Sequence, residues 1–470
     1  MKNRHGIFAS KSAFNSLESS SRFSLQSVKH ASACASAAAL LCLISGTAGA
    51  AGFALGEMSA ASLGVAHAGG AAEASDASTV FYNPAGLMRM SGSQISLTGS
   101  GITPKIEFSN QGSLSGAGNA ATGGNGGDAG DLEFVPAMFY ATDIAPNLRF
   151  GIGLTVPFGL TTDYDSGWAG RYQALKSQVK TVNINPVIAW RVNEKLSLGG
   201  GVSAQYIDVK LSKAIDFGTV CVGSLGAANC APSGSLPQNK DGKVTVDGND
   251  WGFGFNVGAL YEMTPSTRFG AAYRSRIIHR LSGNASYDIP AGLPAILAAS
   301  PTFSNTGVNA GLDLPDSVDL SAAFDLDPKW TLLTDISWMN WSRFKELRIS
   351  FNNGAADSVT QEQWRNTLRY AIGTTYKYDE KWLLRTGVAY DQTPVKSEFR
   401  TGRVPDNNRI WLGLGAQYKL TARSAIDVGY VHMFVKDSSI NKSEPPVGGT
   451  QTGTYSENVN IVSVQYNYSF

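Results

Sequence analysis

Histidines, cysteines and clustered acids carry most protein chemistry, and this chain of 470 residues gathers few of them. His67, His279 and His432 stand far apart, with neither a Ser-His-acid order nor ligands at metal spacing. An acid pair among the many Asp residues is the one catalytic arrangement left open, and no neighbouring pattern supports it. The expectation is therefore a protein without catalytic residues, metal or cofactor. Cys221 and Cys230 lie close together in a Gly/Ser/Pro-rich stretch. In an exported protein such a pair reads as a local disulfide, with two unpaired thiols as the alternative. Closing a loop of this length constrains the unfolded chain by roughly 2–3 kcal/mol. Lys210, Arg365 and Arg369 sit near the ends of patterned segments. They are candidate partners for an anionic head group, because charge-assisted bonds are strongest where the dielectric is low. Solvated charges on a rim are the competing reading.

The question becomes what elements position these groups. Residues 1–50 have the grammar of a signal peptide: a basic leader, a short apolar run from Ala31 to Ala48, and Ala48-Gly49-Ala50 as a cleavage pattern. A single membrane anchor is the alternative, but the run is short and interrupted by serines and a glycine. Without the leader, 33 Lys/Arg face 36 Asp/Glu. No basic surplus remains to suggest nucleic acid.

Alternation with period two dominates the remainder. In the last strand Val462, Val464, Tyr466, Tyr468 and Phe470 share one parity, against Ser463, Gln465, Asn467 and Ser469. That is the pattern of a strand with one face in oil and one in water. A strongly patterned chain end suits a closed barrel, whose last strand pairs with its first. Its terminal aromatic marks it as the strand that barrel-assembly machinery would read. Fourteen such segments are expected, near residues 94–106, 132–143, 147–158, 178–193, 195–211, 250–262, 266–287, 314–326, 329–351, 364–378, 381–392, 408–420, 423–436 and 456–470.

Their connections alternate in length. Tight turns fall at Asn193-Glu194-Lys195, Met263-Thr264-Pro265, Asp327-Pro328, Asp379-Glu380 and Thr421-Ala422, with long loops between them. Short turns on one rim and long loops on the other are the mark of an outer-membrane barrel. The fold class is therefore all-β: a fourteen-stranded antiparallel transmembrane β-barrel over residues 94–470. Residues 51–93, rich in Ala, Gly and Ser, precede it and are expected to plug the lumen as an N-terminal hatch, a loose periplasmic tail being the alternative. Within them Asn83-Pro84-Ala85-Gly86 reads as a turn, Pro fixing φ and Asn bonding nearby backbone.

The loop from Ile289 to Phe303 carries Leu293, Ile296, Leu297 and Phe303, unusually apolar for a long external loop. It reads either as a capture surface for a hydrophobic solute or as a loop packing on its neighbours.

The start Ala51-Gly52-Phe53-Ala54-Leu55 and the turn Asn83-Pro84-Ala85-Gly86 resemble those of the FadL-type outer-membrane transporters of long-chain fatty acids and aromatic hydrocarbons. The resemblance continues through Pro157-Phe158-Gly159-Leu160, Leu314-Pro315-Asp316, Trp338 to Phe344, Val404-Pro405-Asp406 with Arg409-Ile410-Trp411, and the finish Asn467 to Phe470. It implies a monomeric barrel closed by a hatch, which passes hydrophobic ligands without energy input at the barrel. It further implies a ligand pocket beside the hatch and a kink in the third strand that opens the wall sideways. Gly151, Gly153 and Pro157 are the residues there that permit bulges and missing ladder bonds. The partners expected are a hydrophobic small molecule and outer-membrane lipid. Passive uptake of long-chain fatty acids is the leading expectation, with aromatic-hydrocarbon uptake or a general diffusion porin as alternatives.

Overall fold

A computed structural model describes residues 52–470. The expected signal peptide lies outside them. Pairing is antiparallel throughout and closes on itself, from Gln94↔Ser469 to Asn110↔Gly453 between the first and last strands. The spanning strands are β1 Gln94–Asn110, β2 Glu133–Ala145, β3 in two pieces Leu148–Thr155 and Gly159–Asp163, β4 Lys176–Arg191 and β5 Leu196–Asp216. Next come β6 Asp241–Thr264, β7 as Thr267–Arg274 and Ile277–Asp288, β8 as Thr306–Leu314 and Ser317–Asp325, and β9 as Trp330–Met339 and Glu346–Phe351. The wall is completed by β10 as Ser358–Gln361 and Thr367–Lys377, β11 Trp382–Asp391, β12 Arg409–Lys419, β13 as Ser424–Val435 and Ser438–Glu444, and β14 Gly449–Ser469.

The two parities part as the sequence pattern requires. Val462, Val464, Tyr466, Tyr468 and Phe470 stand on the outer surface, while Ser463, Gln465 and Asn467 are buried inside. Polar groups facing the lumen bond one another: Asp427 accepts from Arg385, Gln417 and Asn467, the first at 2.6 Å. A buried carboxylate is tolerated only when so satisfied.

One device recurs at the tight turns. Asn193, Asp327 and Asp379 each accept the backbone N–H groups two and three residues on, at 2.7–2.9 Å. Such Asx turns start the return strand in register. The amides of Trp382 and Lys381 hold the Asp379 carboxyl below its usual range.

Several strands depart from the expected bounds. β6 begins at Asp241 and β14 at Gly449, well before Asp250 and Ser456. The ladder continues beyond the membrane, where both faces meet polar surroundings and alternation no longer marks a strand. Conversely, the runs read as continuous over 266–287 and 329–351 are each broken once.

A cation on the outer face near mid-membrane loses its hydration. Val464→Arg is expected to destabilise the barrel by about 2–4 kcal/mol. Urea titration of the protein folded in liposomes measures this, and a change below about 1 kcal/mol would place Val464 away from lipid.

Candidate functional site

Residues 52–93 fill the lumen. Ser59 caps the helical turn Ala60–Gly64 by accepting from Ser62 N–H, and its hydroxyl donates to Gln465 at 2.8 Å. Asn83 caps the 3-10 turn Pro84–Arg89. Its Nδ2 donates to the carbonyls of Ala71 and Ala259 at 2.7 and 2.9 Å, and its Oδ1 accepts from Ala85 N–H. The Asn-Pro-Ala-Gly turn thus ties two hatch segments to β6. Close approach is possible because the wall is glycine there. A Cβ on Gly387 would lie 2.1 Å from Val65 O, one on Gly270 1.9 Å from Ala71 O, and one on Gly258 2.0 Å from Asn83 Oδ1.

The front of the hatch meets the wall at β3. Pro157 removes a ladder donor between the two pieces of that strand. From Gly159 to Asp163 β3 pairs with β4 alone, and Glu133–Ala137 of β2 pair with β1 alone. A gap therefore opens between β2 and β3. Its backbone groups find other partners: Leu55 N–H donates to Pro157 O and Gly159 N–H to Phe53 O, both at 2.8 Å. On the other side the Thr181 hydroxyl donates to Phe158 O at 2.6 Å, and its oxygen accepts from Phe158 N–H at 3.1 Å. The N-terminal segment takes the place of a strand across the kink. Gly151 and Gly153 lie below the break with ladder partners on both sides. They serve the hatch, since a Cβ on Gly151 would sit 2.6 Å from Val80 Cγ2.

Phe53 anchors this segment in an aromatic box. Its ring lies 4.8 Å from Trp341, 5.7 Å from Trp364, 6.1 Å from Phe158 and 6.2 Å from Phe344, centroid to centroid. Gly52, at φ +69°, lets the chain enter, with its N–H on Asp406 Oδ2 at 3.0 Å. A Cβ there would meet Trp364 at 2.7 Å. The break in β9 supplies Trp341 and Phe344, and the one in β10 supplies Trp364. Neither Trp338 to Phe344 nor Val404-Pro405-Asp406 announces this role in the sequence. The signal available was an aromatic cluster interrupting an otherwise alternating strand.

Three cavities run down this face. An outer groove of about 320 Å³ is lined by Val246, Phe303, Leu347 and Phe351, with Lys213 and Arg403 at its edge. A smaller space of about 30 Å³, bounded by Val209, Leu281 and Val308, shares Leu211, Val246, Leu347 and Ile349 with it. Beyond the aromatic box lies a third, about 120 Å³, against Leu55, Tyr82, Pro157, Phe158, Arg274 and Arg369.

The other expected site residues are dispersed. Phe303 packs on Phe217 and Tyr287 at the groove, Leu293 joins the same cluster, Leu297 covers the Cys221–Cys230 disulfide, and Ile296 is exposed. Of the three cations, Arg369 lines the inner cavity, with Asp335 at 3.5 Å. Lys210 is exposed on β5, and the Arg365 side chain donates to Thr393 O at the rim. Arg274, which sequence reading passed over, reaches the cavity with its guanidinium 4.5 Å from the Phe81 ring and a bond to Phe81 O.

A closed barrel stoppered by its own N-terminus, with apolar cavities leading to a gap in the wall, is the architecture of an outer-membrane transporter. The sequence model of the outer membrane protein transport family (OMPP1/FadL/TodX) matches residues 41–470, and the chain belongs to that family. The long-chain fatty acid transport protein of Escherichia coli K12 is 30% identical over 420 residues, covering 86% of this chain and 92% of that protein. Outer membrane protein P1 of Haemophilus influenzae is also 30% identical, over 461 residues, covering 92% and 98%. Among solved structures, a Pseudomonas aeruginosa FadL homologue superposes with a TM-score of 0.82 at 26% identity, covering 89% of this chain and all of that one. The Pseudomonas putida toluene transporter TodX, at 18% identity and a TM-score of 0.64 over 87% and 98%, shares the fold.

Asn83→Ala with Pro84→Ala removes the side-chain partner of the Ala71 carbonyl and Ala85 N–H in the hatch and of the Ala259 carbonyl in β6. Each buried orphan costs about 1–3 kcal/mol. The double variant is expected to admit large antibiotics that the wild type excludes, at equal surface abundance. Unchanged exclusion would show that the hatch is held elsewhere.

Proposed function

We propose that this barrel carries long-chain fatty acids passively across the outer membrane. The observation that carries the reading is the succession of spaces from the largely apolar outer groove to an inner cavity beside the β3 kink, where Leu55, Phe81, Pro157 and Phe158 stand with charged groups. A fatty acid would settle in the groove, displace Phe53 from its aromatic box, and enter the inner cavity. Withdrawal of Phe53 to Leu55 would release Pro157 O and Gly159 N–H and uncover the gap. Arg369 and Arg274 line the inner cavity together with Asp319 and Asp391, and an entering carboxylate would seek the two guanidinium groups in this low-dielectric site. A diffusion porin needs neither a lumen filled by its own chain nor an apolar groove. The conduit needs no catalytic step, and it would work as a monomer embedded in outer-membrane lipid after assembly machinery reads β14.

Uptake of aromatic hydrocarbons is the second reading, favoured by the box of rings around Phe53. Displacement of a fluorescent fatty acid from the purified protein separates the two. A long-chain fatty acid is expected to compete at far lower concentration than toluene; equal competition, or liposome swelling by sugars without fatty-acid binding, would overturn the proposal. Removing the cation with its partner, as Arg369→Gln with Asp335→Asn, is expected to weaken fatty-acid binding about tenfold, near 1.4 kcal/mol. The methyl ester of the same fatty acid should bind both proteins alike, since it lacks the charge that Arg369 would meet.

A further inference from the structure

The wall is also interrupted between β6 and β7. Their ladder runs from Thr264↔Thr267 to Asn256↔Arg274 and resumes from Asn249↔Ser282 to Lys243↔Asp288. Between these stretches Asp250–Phe255 face Ser275–Leu281 without register partners. β6 stays paired with β5 throughout, so the seam alone is open. β8 is broken opposite, at Pro315 and Asp316, so strand β7 is free to bend there.

Side chains fasten both ends of this seam. At one end Phe255 N–H donates to Ser275 Oγ, and Ser275 N–H to Phe255 O, each at 2.8 Å. At the other, Asp250 Oδ2 accepts Arg280 N–H at 2.8 Å and lies 3.3 Å from His279 Nδ1. His279 Nε2 is 3.1 Å from Gln205 Oε1. Between the fastenings the seal is steric. β6 presents only Gly252 and Gly254 inward, and Ile277 and His279 lie across them; a Cβ on Gly252 would be 2.5 Å from Ile277 Cγ2.

The height of the break matters. A tilted strand needs about 9–11 residues to cross the hydrocarbon. The periplasmic pieces of β3 and β7 are each 8 residues long, whereas those of β8, β9, β10 and β13 have 9 to 12. β3 and β7 therefore break at the outer margin of the hydrocarbon. Arg276 and Arg280 stand exposed on the outer face around Ile278, and Arg280 pairs with Asp313. The inner cavity reaches Asn256, Val257, Tyr273 and Arg274, the last rungs below the seam.

We infer that the β6–β7 seam is a second lateral door, closed by Ile277 and His279, through which an anionic amphiphile passes between the inner cavity and the outer leaflet. Its carboxylate can stay with Arg276 at the membrane boundary while its chain enters hydrocarbon. The inference rests on the uptake reading above and adds a route that the β3 kink does not provide.

Two measurements on the full-length protein in liposomes test it. In the first, Ile277→Cys and the exposed control Phe253→Cys are treated with a long-alkyl maleimide partitioned into the bilayer. Both are expected to react, Ile277→Cys about tenfold or more slowly because the seam must open first. No reaction at position 277, with position 253 fully modified, overturns the door. In the second, Gly254→Cys with Ile277→Cys locks the seam, since a Cβ on Gly254 lies 2.9 Å from Ile277 Cγ1, where a cysteine sulfur would stand. With the seam locked, fatty-acid flux is expected to fall several-fold, the β3 kink carrying the remainder, and to return with reductant. Flux indifferent to the seam lock overturns the door. Absence of flux in the wild type would instead overturn the uptake reading, and labelling at position 277 would then decide the door alone.

Discussion

Every backbone N–H and C=O that faces hydrocarbon must be bonded within the protein, and this constraint governs each feature above. A complete ladder satisfies it without side chains, and most of the lower strand halves are built that way; beside Pro186 of β4, which has no N–H to give, Asn185 Nδ2 donates to Val202 O instead. Where the ladder stops, another group has to take each bond. At β3 that group is the chain's own N-terminal segment on one side and the Thr181 hydroxyl on the other. At β7 it is Ser275 and Asp250. The segment Phe53 to Leu55 meets β3 only through the isolated bridge Ala54↔Phe158, whereas Thr181 and Asp250 repair the breaks with side chains borne by strands of the sheet itself.

The hatch is held by the same logic in reverse. Its short turns exchange hydrogen bonds with the barrel's inner face in both directions: Asn83 Nδ2 of the hatch donates to Ala259 O of the wall, and Arg274 of the wall donates to Phe81 O of the hatch. Glycines at 199, 258, 270, 387 and 413 let backbone meet backbone, so the stopper docks on the wall instead of resting on side-chain tips. Dense contact of this kind fills the lumen, while Phe53 meets the wall through aromatic rings alone.

Period-two alternation made the barrel legible, because the lipid face of each strand is uniform and turns such as Asp379-Glu380 are short. The strand ends above the membrane were not legible: from Asp241 to Asn249 neither face is oil, and the pattern fades although pairing continues. The site was legible only in pieces. Pro157 marks a missing donor in any sequence, but Gly151 and Gly153 look identical whether they bend a strand or admit Val80 and Leu87. Arg369 could be picked out as a cation near a strand end, yet its place inside the lumen follows from register, which alternation fixes only after a neighbour is known. The Phe53 box joins residues up to 311 positions apart along the chain (Phe53 to Trp364), and no local pattern encodes such a meeting.

The breaks also divide by what covers them. Those in β9 and β10 lie above the first ten or eleven strand residues and bring Trp341, Phe344 and Trp364 together, so aromatic packing replaces the missing ladder. Those in β3 and β7 come lower and are covered by thin devices, a three-residue segment in one and two side chains across glycines in the other. Burial by a cluster of rings is lost only when several contacts fail together, whereas a single segment or side chain can swing away at small cost. The inner cavity touches both of these thinly covered breaks, at Pro157 and Phe158 on one side and at Asn256, Val257, Tyr273 and Arg274 on the other, whereas the ring cluster backs the breaks in β9 and β10.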